Sequence, residues 1–139
     1  MSRIIAIDYG KKRTGIAVTD PLRIIASGLK TVATKEIFPF LEDYFSTENV
    51  AIALIGKPKQ MDGTLSESNE IIEQFASQFQ KKFPNVKIER VDERFTSKIA
   101  SKVLVESGLK KKKRQDKSLI DTISATIMLQ DYLLSNNRK

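Results

Sequence analysis

The sequence predicts a single α/β domain over residues 1–139: a mixed five-stranded sheet, three antiparallel strands followed by two parallel ones, flanked by helices. Three observations carry this expectation. Three β-patterned segments crowd residues 3–32, joined by connections too short for crossover helices. Beyond residue 35 the apolar spacing becomes helical, and helices then alternate with strands, the pattern of helices packed on a partly parallel sheet. Finally, 139 residues without an internal repeat, a Pro- or Gly-rich linker or a shift of composition are the size of one ordinary domain.

Residues 3–8 are an apolar run ending in a carboxylate and broken by Tyr9-Gly10; residues 14–19 form a second strand, stopped by Asp20-Pro21. Residues 24–32 hold a third, with Gly28 marking a bulge or bend. Residues 35–46 place Ile37, Phe38, Leu41 and Phe45 at helical spacing, with Pro39 early enough to sit in a first turn. Residues 50–55 read as a buried strand ended by Gly56. Residues 66–82 form an amphipathic helix through Ile71, Ile72, Phe75, Ala76 and Phe79. Residues 86–91 alternate as a strand running into Asp92-Glu93-Arg94. Residues 96–107 form a third helix stopped by Gly108, and residues 118–135 a long final one. The order is β-β-β-α-β-α-β-α-α. In such sheets, sites gather at the carboxyl ends of parallel strands, here Asp8, Gly56 and Asp92-Glu93.

Composition excludes whole classes of chemistry. With no cysteine and no histidine, Cys-His and Ser-His-Asp nucleophiles, His acid–base pairs and the usual zinc ligand sets are out of reach. Carboxylates, Lys, Arg, Tyr or hydroxyls must carry any reaction, and carboxylates favour hard cations such as Mg²⁺ or Mn²⁺. No apolar run spans a bilayer, and the start of the chain shows no secretory leader, so a cytoplasmic protein away from membranes is expected.

The net charge of +7 is concentrated. Lys110, Lys111, Lys112, Lys113, Arg114 and Lys117 against Asp116 give +5 of it. Such a segment suits a polyanion, with attraction that weakens as salt rises, although a solvated loop without a partner would look the same.

Three carboxylates stand out. Asp8 ends an apolar strand, where it is either a functional group at the rim of the core or a turn-forming residue before Gly10. Glu93 follows the last strand in the same way, near Asp92 and Thr96, which suit the start of the next helix. Asp121 shares a helix face with Ala125, Met128 and Tyr132, so an ionised group in that stripe needs a partner. Glycines 10 and 15 are weak signals, since tight turns use glycine widely. Should the carboxylates converge, they would repel one another without a cation between them. One or two Mg²⁺ or Mn²⁺ ions would relieve this and create a hydrolytic site for phosphodiesters. Lys12 and Arg13 after Asp8, and Arg94 beside Glu93, are candidate phosphate contacts, as are Lys110 to Arg114.

The blocks Asp8-Tyr9-Gly10-Lys11-Lys12-Arg13-Thr14-Gly15, Gly56-Lys57-Pro58 with Asp62-Gly63, Asp92-Glu93-Arg94-Phe95-Thr96-Ser97 and Ile120-Asp121-Thr122-Ile123-Ser124-Ala125 resemble, in order, those of the YqgF (RuvX) family. The likeness spans nearly the whole chain. Lys11, Lys57 and Ser124 depart from the usual residues of that family without removing a carboxylate. The resemblance implies a ribonuclease H-like fold and a catalytic, metal-binding set of Asp8, Glu93 and Asp121. It also implies an endonuclease acting on nucleic acid, with two activities described for the family: maturation of the 5′ end of pre-16S rRNA and resolution of Holliday junctions. The rRNA role is preferred, because no apolar surface for pairing two copies is legible in the sequence and a monomer or weak dimer is expected. Two rival classes remain: a phosphotransferase, suggested by Asp-x-Gly and the basic residues after it, and a non-catalytic RNA-binding protein using the basic loop.

Overall fold

The computed structural model describes residues 2–57, 69–92 and 117–137. Within them lie five strands, β1 (Arg3–Tyr9), β2 (Arg13–Thr19), β3 (Ala26–Ala33), β4 (Val50–Lys57) and β5 (Lys87–Asp92), and three α-helices, α1 (Ile37–Thr47), α2 (Asn69–Lys82) and α3 (Lys117–Asn137). The sheet order is β3-β2-β1-β4-β5. β1, β2 and β3 pair antiparallel, and β1, β4 and β5 pair parallel. This is the mixed sheet expected from the sequence. The expected helix over residues 96–107 falls outside the described residues.

Among the boundaries that differ from the sequence reading, those of β3, β4 and β5 have a local reason. β3 begins at Ala26, because residues 20–25 are tied into a turn rather than a strand. There the Asp20 carboxylate accepts the backbone N–H groups of Leu22, Ile24 and Ile25. Arg23, at φ 59, closes the turn with its guanidinium on Ser2. Gly56 does not end β4, which continues to Lys57 opposite Asp92. Asp92 is accordingly the last residue of β5, and the helix start expected after it lies outside the described residues. Pro39 is the third residue of α1, where its missing N–H is one of those a helix start leaves unbonded.

Strand alternation divides the core into two layers. Ile5, Ile7, Ile16, Val18, Ala53 and Ile55 face α1 and α2 and pack on Ile37, Leu41, Ile72, Phe75 and Phe79. Ile4, Ala6, Ala17 and Leu54 face α3 and pack on Ala125, Met128 and Leu129. The first layer is aromatic, with Phe45 in edge contact with Phe79 and Phe83, which meet each other at a tilt. The second mixes Ala6, Ala17 and Ala125 with Ile4, Leu54, Met128 and Leu129, and α3 lies close to the sheet over Gly15.

Candidate functional site

The carboxyl ends of β1, β4 and β5 form one edge. Ile7 is level with Ile55, and Gly56 and Lys57 are level with Val91 and Asp92. Asp8 is the next residue of β1 after Ile7. By alternation it lies on the face of Ile4 and Ala6, beneath α3, and it is half-buried. Tyr9 turns the other way and stacks on Phe75 at a centroid distance of 4.3 Å. Burial there raises the Tyr9 phenol above its ordinary value.

Asp121 is the fifth residue of α3, so it lies past the first turn, where the helix dipole alone would hold a carboxylate. The stripe expected from its spacing is present: Ala125 and Met128 are buried, and Tyr132 packs against them. What brings Asp121 to Asp8 is Gly15. Gly15 pairs with Asp8 across the β1–β2 ladder. A Cβ on Gly15 would stand 2.1 Å from the Asp121 carbonyl oxygen and 2.4 Å from its carbon. The α3 backbone therefore rests on β2 at the one position without a side chain, one strand from Asp8. Adjacent strands are about 4.8 Å apart, so the two carboxylates occupy one corner of the molecule. Gly15 is thus a mid-strand residue that sets a close approach, rather than a turn residue.

Arg13, the first residue of β2, completes this corner. Its Nε donates to Asp121 Oδ2 at 3.0 Å, with both side chains partly exposed. Lys11 and Lys12 are exposed in the β1–β2 connection beside it. The hydroxyls support the same corner. Thr14, fully buried, shares a hydrogen bond with Thr34, which donates to the Gly10 carbonyl. Thr31 on β3 and Thr122 on α3 share another at 2.5 Å. The sequence reading missed this threonine scaffold; the signal available was threonine recurring in Thr14, Thr31, Thr34 and Thr122 beside the motif glycines.

Glu93, Arg94 and the basic residues Lys110, Lys111, Lys112, Lys113 and Arg114 lie outside the described residues. Glu93 directly follows β5 in the chain. Among the described residues, no group of three or more His, Cys, Asp or Glu side chains is gathered for a metal. The described donors are two carboxylates, oxygen ligands of the kind a hard divalent cation takes, and one of them already carries a cation, the Arg13 guanidinium. The residues present fit a divalent ion in that respect.

Away from this corner, the β2–β3 turn and the end of α3 expose Leu22, Ile24, Ile25 and Leu134, with Leu29 on β3 nearby in sequence. An exposed apolar surface therefore exists that the sequence did not disclose, because Ile24 and Ile25 read there as strand residues. Among the described residues, no helix is long and apolar enough to cross a membrane.

Comparison with known proteins agrees with this architecture. A protein of Flavobacterium psychrophilum named "Putative pre-16S rRNA nuclease" is 62% identical over 133 residues, covering 96% of this chain and 97% of its own. A Bacteroides fragilis protein of the same name is 54% identical over 133 residues, covering 96% of each. Among solved structures, the fowlpox virus resolvase in complex with Holliday junction DNA superposes with a TM-score of 0.62 at 16% identity, covering 96% of this chain and 98% of that one. T. thermophilus RuvC with its junction substrate gives a TM-score of 0.57 at 14% identity, covering 99% of this chain and 96% of that one. At these identities the likeness is one of fold, and it makes the sheet of the ribonuclease H-like, RuvC type. The model of the RuvX family, described as Holliday junction resolvase, matches residues 2–135, and the chain belongs to that family.

Proposed function

We propose that the chain is a metal-dependent endonuclease that hydrolyses nucleic-acid phosphodiesters, with Asp8, Glu93 and Asp121 as its catalytic, metal-binding residues. The observation that carries this reading is the corner at Gly15, which pairs with Asp8 in the sheet and lies under the Asp121 backbone, with a cation on Asp121. Carboxylates are oxygen donors for a hard divalent cation, and the chain offers no histidine or cysteine to do hydrolysis another way. Mg²⁺ or Mn²⁺, as a two-ion site, would supply an activated water and charge neutralisation at the phosphate. The protein's own part is to hold the carboxylates. β1 fixes Asp8 by its ladder to β2 and β4, and α3 fixes Asp121 by its seat on Gly15. Glu93 would join them as the residue that directly follows β5 in the chain. Lys12 and Arg13 flank the corner and would orient a phosphate; Arg94 and Lys110 to Arg114 would extend the basic track.

The preferred substrate is precursor 16S rRNA, the substrate named for relatives sharing more than half their residues with this chain; we place the cleavage at its 5′ end, during ribosome biogenesis in the cytoplasm. A second reading, resolution of a Holliday junction, is favoured by the description of the family model and by the junction-bound neighbours. The whole chain is read as one nuclease domain, acting as a monomer or weak dimer.

One panel tests both readings: precursor rRNA, single-stranded RNA, duplex DNA and a four-way junction, each with Mg²⁺ and with Mn²⁺. Cleavage of precursor rRNA is expected, abolished in Asp8→Asn, Glu93→Gln and Asp121→Asn while RNA binding persists. Undiminished cleavage by all three variants would overturn the site. Cutting of the junction alone would select the second substrate.

A further inference from the structure

The Arg13–Asp121 ion pair joins residues 108 apart in sequence and holds one oxygen of a carboxylate read above as a metal ligand. This inference rests on that reading. Arg13 is anchored by its place in β2: its Cα pairs with Ala33, and it shares the α3 face with Gly15 and Ala17 by alternation. Its Nε sits on Asp121 Oδ2 at 3.0 Å, with the side chains 37% and 26% exposed. A guanidinium N–H and a divalent ion neutralise the same carboxylate charge, so with Arg13 on Oδ2 an ion meets a group that is already partly compensated.

We infer that Arg13 is the resident counter-cation of Asp121, a positioning residue that holds the carboxylate at the site and competes with a divalent ion for its charge. The arrangement removes the repulsion between Asp8 and Asp121 in the metal-free protein. It also costs metal affinity, because the guanidinium already neutralises part of the charge that draws the ion. Because the pair is partly exposed, that cost is modest, corresponding to about a two- to five-fold effect on the dissociation constant. Lys12 has the same charge one residue away but is exposed, so it provides the control for charge without contact.

The test is calorimetric titration of MnCl₂ into the full chain without nucleic acid, comparing wild type with Arg13→Gln, Arg13→Lys, Lys12→Gln and Asp121→Asn. Arg13→Gln is expected to bind Mn²⁺ about two- to five-fold more tightly, with Arg13→Lys between it and wild type and Lys12→Gln close to wild type. Melting curves provide a second readout. Arg13→Gln should melt below wild type without metal, and the gap should narrow at saturating Mn²⁺. Unchanged or weaker Mn²⁺ binding in Arg13→Gln, or an equal gain in Lys12→Gln, would overturn the inference while leaving the metal site intact. Unimpaired Mn²⁺ binding in Asp121→Asn would instead remove Asp121 as a ligand, and the inference with it.

Discussion

The two faces of the sheet are built on opposite packing strategies. Toward α1 and α2 the core is large and aromatic, with Phe75 and Phe79 almost wholly buried among Ile5, Ile7, Ile16 and Leu41. Toward α3 it is small and polar-edged, with Ala6, Ala17 and Ala125 in the cluster and Gly15 and Gly28 beneath the helix. The aromatic face holds the larger buried side chains, and the stabilisation from burial grows with the apolar area removed from water. The α3 face gives up some of that burial for proximity, since only a helix seated on glycine and alanine can bring a side chain such as Asp121 down to a strand-end carboxylate. The candidate site lies on the second face for that reason.

The largest expected effect tests the aromatic half. Phe79→Ala should lower unfolding free energy by about 3–5 kcal/mol, measured by denaturant titration, while the folded fraction keeps its Mn²⁺ affinity. A loss of Mn²⁺ binding in the folded protein would blur the division between the faces. Next comes Gly15→Ala, whose methyl group would collide with the Asp121 backbone. It should cost about 1–3 kcal/mol and, unlike Phe79→Ala, also weaken Mn²⁺ binding, because α3 must lift off β2. Thr122→Val removes the hydroxyl bond to Thr31 and should cost about 1 kcal/mol. Ser124 is buried in the same seam, and its hydroxyl finds no hydrogen-bond partner among the described residues. Ser124→Ala should therefore raise stability, by about 1 kcal/mol, in the same denaturant assay.

The smallest effect belongs to the turn distant from the site. The backbone N–H of Ile25, with those of Ile24 and Leu22, holds the Asp20 carboxyl below its ordinary value of 3.8. A lowered folded value favours the native state above the unfolded value, and that contribution fades as pH falls through the folded one. Asp20→Asn should thus flatten the acid limb of the melting temperature against pH below about pH 4, and leave the curve near neutrality parallel to wild type.

Much of this was legible in the chain. The apolar runs through Ile5 and Ile55, the helical spacing of Phe75 and Phe79 and the stripe of Asp121, Ala125 and Met128 each depend on local periodicity, which follows from backbone geometry alone. So did the sheet's order of antiparallel and parallel strands, because connection length decides between hairpin and crossover. The lack of histidine and cysteine narrowed the chemistry before any coordinates. Other features were not legible. Ile24 and Ile25 read as strand because their β-propensity is high, yet the Asp20 carboxylate captures their N–H groups for a turn. Gly56 read as a stop, yet the ladder to β5 carries β4 past it.

By itself, then, the sequence determined which elements form, which faces are apolar and which carboxylates stand at strand ends or on a helix stripe, since all of these follow from spacing along one chain. Only the tertiary structure decided that Gly15 is a seat for α3 and that Arg13 is held by Asp121. Those relations join residues more than a hundred positions apart, and they exist only once a helix has docked on a strand at the one point where no side chain keeps it away.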